Sequence, residues 1–134
     1  MTEHPNIELA RRGIEAFNAR DLDTMLEIGG EDFEYDWSRS IGPNQGVFRG
    51  PAGFLEFMND QWSTFEEVTV EPTEMIPCGS HVIVMTRTYG RGRDGVEVSA
   101  NSAQLYTFED GRLVRITLFQ ERDEALAAAT AEAE

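Results

Sequence analysis

EVSANSAQLYTFEDGRLVRITLFQE, residues Glu97–Glu121, is the stretch on which the fold turns. Two alternating apolar segments meet at Glu109-Asp110-Gly111-Arg112. An Asp-Gly pair between such segments is a strong hairpin signal, because a two-residue turn that matches strand twist needs positive φ at its centre. The reading is two long antiparallel strands. Side chains alternate along a strand, so Val98, Ala100, Ser102, Gln104, Tyr106 and Phe108 share one face, and Val114, Ile116, Leu118 and Gln120 form the matching row of the second strand. Amides and a phenol set in otherwise apolar rows describe a pocket wall. On the opposite rows Leu105, Phe119 and, from a neighbouring strand, Val84 are expected on the outer face, where an apolar patch suggests a homodimer contact.

Upstream of the hairpin the pattern is mixed. Ile7, Ala10, Ile14 and Phe17 recur at helical spacing after Asn6, a suitable N-cap, and this helix is expected to end near Arg20. Asp21 then caps a short second helix carrying Leu22, Met25, Leu26 and Ile28, which Gly29-Gly30 stops. Phe33-Glu34-Tyr35-Asp36-Trp37 alternates aromatic and acidic side chains and reads as a strand. Residues 38–50 hold three glycines and a proline without a period and read as a loop. Pro51 opens a third helix with Phe54, Phe57, Met58, Trp62 and Phe65 along one side. Strands over 66–76 and 81–91 flank a turn at Pro77–Ser80 and precede the hairpin. The last segment, from Asp123, is rich in alanine and has little to bury. Residues 1–5 and about 128–134 are expected to be flexible around one domain.

With 134 residues, 40% of them hydrophobic, the chain is long enough for one well-buried core. A formal charge of −14 repels phosphate, so neither nucleic acid nor an anionic membrane is an expected partner. The single cysteine, Cys78, allows no intrachain disulfide and no cysteine-rich zinc site, and no metal-ligand spacing stands out. Gly90-Arg91-Gly92-Arg93-Asp94-Gly95 joins two strands and is a hairpin loop, not a phosphate cradle. A cytoplasmic protein without metal or cofactor is expected.

Helix, short helix, strand, loop, helix and four strands make an α+β order. Ala16-Phe17-Asn18-Ala19-Arg20-Asp21-Leu22-Asp23, Phe48-Arg49-Gly50, Phe108-Glu109-Asp110-Gly111-Arg112-Leu113 and Arg122-Asp123-Glu124-Ala125-Leu126 together resemble the nuclear transport factor 2-like superfamily, in particular its SnoaL-like members. The resemblance implies a cystatin-like α+β roll, in which a curved antiparallel or mixed sheet wraps around the N-terminal helices and a third helix to form a cone-shaped cavity. It also implies, in many members, a dimer through the outer sheet face.

The superfamily's chemistries can be tested position by position. In ketosteroid isomerase, a member, the oxyanion tyrosine aligns with Gly13, the general-base aspartate with Trp37, one residue beyond Asp36, and the oxyanion aspartate with Gln104. None of the three residue types is retained. Limonene epoxide hydrolase uses Arg-x-Asp where this chain has Arg87-Thr88-Tyr89. Scytalone dehydratase and several polyketide cyclases use histidine, whereas the two here, His4 and His81, read as incidental.

The best candidate base is Asp36, between Tyr35 and Trp37, on a strand that the resemblance sets at the cavity mouth, where partial burial would suit a proton acceptor. Arg87 shares a row with Ile83, Met85 and Tyr89; if it is buried it needs a carboxylate, and Asp36 is the first partner to test. Tyr106 completes the candidate catalytic set. Phe17, Tyr35, Trp37, Phe57, Met58, Trp62, Met85, Tyr89, Gln104, Leu118 and Gln120 are the candidate ligand-binding residues, mostly apolar with a few polar groups. One expectation is a cofactor-free isomerase, dehydratase or cyclase moving a proton on a small apolar carbonyl compound. The alternatives are a non-catalytic binding protein for a small apolar or weakly polar ligand in the same cavity, and a dimeric interaction module whose cavity its own side chains would fill.

Overall fold

A computed structural model describes residues 5–29, 31–39 and 46–133. In chain order, α1 (Pro5–Ala19), α2 (Leu22–Gly29), β1 (Glu34–Asp36), β2 (Val47–Arg49), α3 (Gly50–Thr64), β3 (Phe65–Cys78), β4 (His81–Gly92), β5 (Glu97–Glu109), β6 (Arg112–Phe119) and α4 (Arg122–Ala133) follow one another. The six strands form one sheet in the order β2-β1-β6-β5-β4-β3. All neighbours are antiparallel except β1 and β6, which run parallel, so the sheet is mixed. This is the α+β roll expected from the sequence. His4 and Gly30, and most of the central part of the loop expected over 38–50, lie outside the described residues.

The hairpin at the centre of the sheet forms as the Asp-Gly pair requires. Asp110 and Gly111 have φ of 51° and 77°, and Glu109 pairs with Arg112 across a two-residue turn. One irregularity changes the parity. Between Thr107 and Phe108 the β5–β6 register shifts, so Phe108 faces Leu113 while Gln104 and Tyr106 face Leu118 and Ile116. The bulge adds one residue to one strand and exchanges which neighbour points inward. Leu113 therefore takes the inner place expected for Val114, and it is buried in the core.

Helices α1, α2 and α3 cover the inner face. Ala10, Ile14, Met25, Ile28, Phe54, Phe57 and Met58 pack against Val82, Val84, Tyr106 and Ile116 in one apolar cluster. Asp21 caps α2 as expected: the Thr24 amide donates to its Oδ1 at 3.2 Å and the Thr24 hydroxyl to its Oδ2 at 2.6 Å, and these bonds lower the Asp21 carboxyl from its usual range. Pro5 and Asn6 already belong to α1, so Asn6 is not its cap. Residue Phe65, expected on the helix, begins β3, and Val47–Arg49 is a strand inside the expected loop, held to β1 by a cross-strand pair between Arg49 Nε and Glu34 Oε2 at 2.9 Å.

The outer face differs most from expectation. Val84 belongs to the inner cluster, since it is paired with Gln104 and shares its row. Ile83, Leu105 and Phe119 do face outward, but α4 lies over them with Ala125 and Ala129 wholly buried in the contact. Small side chains let the helix come close to the sheet, so the alanines that had little to bury are what makes the contact possible. The exposed patch that suggested a second copy is thus covered by the chain itself at Leu105 and Phe119.

Candidate functional site

Between the inner face of the sheet and the three helices lies a cavity of about 300 Å³. Its size is at the lower end of small-molecule sites. Side chains do not fill it, unlike the cavity expected of a pure interaction module. Aromatic rings form one wall. Tyr35 on β1 stacks on Phe57 of α3 with ring centres 4.8 Å apart and 15° between planes, and on Phe54 at 5.6 Å. Trp37 meets Phe57 edge-on at 5.0 Å, and Phe33 meets Tyr35 edge-on at 4.7 Å. Strand alternation sends Tyr35 inward, and the short β1–β6 pairing fixes it opposite Ile116.

Facing the rings is the β5 row. Tyr106 and Gln104, two residues apart on one strand face, are 3% and 7% exposed, and the Tyr106 hydroxyl donates to Gln104 Oε1 at 3.3 Å. The Gln104 side chain lines the cavity, with its Oε1 engaged by Tyr106. Ser102, on the same row, shares a hydrogen bond of 3.0 Å with Thr86. Gln120 lines the cavity while its amide donates to the Arg39 carbonyl at 2.9 Å, which ties the cavity wall to the turn after β1.

The electrostatics are those of an uncharged pocket. Among the described residues that line it, the titratable side chains are Tyr35 and Tyr106. Burial pushes the phenol of Tyr106 well above its usual value. Tyr35 is raised as well, first by burial and then by the proximity of Tyr106. Both remain neutral donors throughout the physiological range.

Of the residues expected from the sequence, Phe17, Tyr35, Trp37, Phe57, Gln104, Tyr106, Leu118 and Gln120 line this cavity together. Met58 is fully buried in the core, and Trp62 packs against the same cluster, with the Arg20 guanidinium 5.4 Å from its ring centre and its Nε1 without a hydrogen-bond partner among the described residues. Four residues lie elsewhere. Asp36 alternates with Tyr35 and pairs with Thr117, so its carboxylate is on the outer side, where Oδ1 accepts from the Ser38 amide and hydroxyl at 3.1 and 2.6 Å and Oδ2 is 3.9 Å from Arg39. Arg87 is exposed on the outer row of β4, opposite Asn101. Met85 packs against the cluster beneath α4, and Tyr89, on the same row, donates to Glu97 at 2.7 Å. The structure therefore does not bring Asp36 and Arg87 together in the cavity. The cause is parity: an unbroken β4 turns its even row, Val84 and Thr88, inward and its odd row outward.

Several lining residues carry no site signature in the sequence. Ile14, Met25, Ile28 and Phe54 were legible as apolar helix faces, which does not distinguish a core face from a cavity wall. Val68 and Val70 of β3, Leu113 beyond the bulge, and Gln61 and Gly13 on the helices also line it. His81 is buried on the outer side, with Nδ1 3.0 Å from Thr107 Oγ1.

The sequence profile of the SnoaL-like domain matches residues 10–116. Comparison with curated proteins returns no match. Among solved structures, TerC co-crystallised with polyporic acid is 22% identical over 95% of this chain and 99% of its own, with a TM-score of 0.77. RV0760c from Mycobacterium tuberculosis, in complex with estradiol-17beta-hemisuccinate, is 13% identical over 90% of this chain and 97% of its own, also with a TM-score of 0.77. A putative SnoaL-like polyketide cyclase from Jannaschia sp. CCS1 is 19% identical over 99% and 98%, with a TM-score of 0.72. At these identities the likeness establishes the fold. No helix among the described residues is long and apolar enough to cross a membrane.

Proposed function

The chain belongs to the SnoaL-like domain family, and from that premise we propose that it binds a small, neutral, largely apolar compound bearing a hydrogen-bond acceptor such as a carbonyl oxygen. The observation that carries this reading is the Gln104 amide. Its Oε1 is occupied by the Tyr106 hydroxyl, which leaves the N–H₂ group of a buried residue facing a mostly apolar cavity. A donor that opens on an apolar cavity is complemented by a ligand oxygen. The rings of Tyr35, Trp37 and Phe57 offer stacking surface to the rest of such a molecule. Two structures of the same fold hold polyporic acid and estradiol-17beta-hemisuccinate, which supports a ligand-binding cavity here.

Binding without proton transfer is the better-supported form of this function. An isomerase, dehydratase or cyclase needs a base that faces its substrate. The titratable groups lining the described cavity are phenols held protonated by burial, while Asp36 and Arg87 are engaged or exposed on the other side of the sheet. A direct test is calorimetric titration with benzophenone and with diphenylmethane, which has nearly the same shape without the carbonyl. The proposal expects both to bind, the ketone about tenfold more tightly, as one added hydrogen bond allows. Equal affinities, or no binding of either, would count against it.

A further inference from the structure

We infer that Gly13 is a specificity-determining position: it leaves the α1 wall of the cavity bare, so that an apolar group of the ligand can lie against the helix backbone there. This inference rests on the binding reading above and adds the dimension of the ligand it admits. Three of the described glycines line the cavity, Gly13, Gly29 and Gly90. Two have a packing reason. A Cβ on Gly29 would come 3.0 Å from the Phe33 ring, and one on Gly90 would come 2.9 Å from the Phe65 ring. Gly13 has none: a Cβ there would meet nothing within 4 Å. Nor does the backbone call for glycine, since Gly13 has no positive φ and sits inside the fifteen-residue helix α1.

Glycine is among the least favourable residues for a helix interior, second only to proline. At Gly13 that penalty has no compensation in packing or conformation among the described residues, yet the position lines the cavity. The neighbours define what would fill it. Ile14 and Phe17 line the cavity from the same helix, and Val68 and Val70 line it from β3, against which α1 packs. All four are apolar, so the group accommodated at Gly13 is apolar too, and the ligand's acceptor belongs at Gln104.

The test compares the wild-type chain with Gly13→Ala and Gly13→Leu, substitutions that both favour the helix. Two neutral fluorescent probes are titrated, naphthol and the larger N-phenylnaphthylamine, alongside denaturant unfolding. The expected result is a higher unfolding midpoint for Gly13→Ala, and in Gly13→Leu a loss of about tenfold or more in affinity for N-phenylnaphthylamine with naphthol binding kept. Should Gly13→Leu fail to fold, Gly13→Met decides, because its flexible side chain adapts to irregular space. If the leucine or methionine variant binds the larger probe as the wild type does, the inference is overturned while the binding reading stands. If the wild-type chain binds neither probe, the binding reading fails and this one with it.

Discussion

The phenol of Tyr106 donates to Oε1 of Gln104 at 3.3 Å, side by side on the inner face of β5. This one bond orients the amide. With its oxygen occupied, Gln104 presents donors to the cavity, so the site selects an acceptor on a neutral ligand. Changing Gln104 to Leu keeps an apolar surface and removes the donors. Affinity for an aromatic ketone should fall about tenfold, the equivalent of one net hydrogen bond, while a hydrocarbon of the same shape binds as before or better. Parallel titrations of the two ligands check this.

Tyr106→Phe addresses the other partner. The ring stays and the hydroxyl goes, so Gln104 loses the group that orients it inside a buried row. Folding stability should drop by about 1 kcal/mol, with ketone affinity weakened because the amide is free to turn. Urea unfolding of the variant beside the wild type measures the first part, and a variant as stable as the parent would show that the bond contributes nothing.

Alkaline titration separates the three tyrosines. Tyr35 and Tyr106 hold their protons above the ordinary phenol value because ionisation would place charge in the buried site. A folded-state value raised above the unfolded one means that the contribution to stability is complete below about pH 10 and is lost as pH rises beyond it, since only the unfolded chain then releases those protons. Stability and ligand affinity should therefore be insensitive to these two groups between neutrality and about pH 9. Tyr89, half-buried outside the cavity, is also raised above the ordinary phenol value, first by its hydrogen bond to Glu97, but it can ionise without unfolding, whereas the other two should do so only on unfolding. Tyrosinate absorbance followed together with circular dichroism reads out both steps.

Asp36→Asn distinguishes the cavity from the outer face. Since the carboxylate is spent on Ser38 and Arg39, ketone affinity should stay within about twofold of the wild type, a difference well below one hydrogen bond. A large loss of affinity on titration would mean that this carboxylate acts on the ligand after all.

At the sheet edge, the Asn18 side chain makes both bonds of a missing strand: its Nδ2 donates to the Val70 carbonyl at 2.9 Å and its Oδ1 accepts from the Val70 amide at 2.8 Å. This ties α1, and with it the Gly13 wall, to the outermost strand β3. Asn18→Ala should cost about 1–2 kcal/mol, as two hydrogen bonds at a partly exposed site would. Urea denaturation checks the figure.

Much of this arrangement can be read from residue order, and the remainder has identifiable physical causes. Asp110-Gly111 set the hairpin, and its even row correctly grouped Gln104, Tyr106, Leu118 and Gln120 on the cavity wall. Alternation at Phe33–Trp37 puts the rings on one side and the acids on the other without saying which side faces inward, and the family resemblance draws Asp36 toward the cavity that Tyr35 and Trp37 in fact line. Arg87 carried two possibilities on one strand face, and only the pairing of β4 with β5 could choose between them. The bulge after Thr107 has no signature of its own in the sequence, so the exchange of Val114 for Leu113 was not legible. Alanines of α4 looked too small to bury much, because their value lies in letting the helix approach Leu105 and Phe119, a property of the assembled sheet.

The most direct measurement of the central claim is a crystal structure of the wild-type chain grown with benzophenone. The ketone should lie inside the cavity, its rings against Tyr35, Trp37 and Phe57 and its oxygen within hydrogen-bond distance of Gln104 Nε2. A ketone bound on the outer face, or seated in the cavity with its oxygen turned away from Gln104, would contradict it.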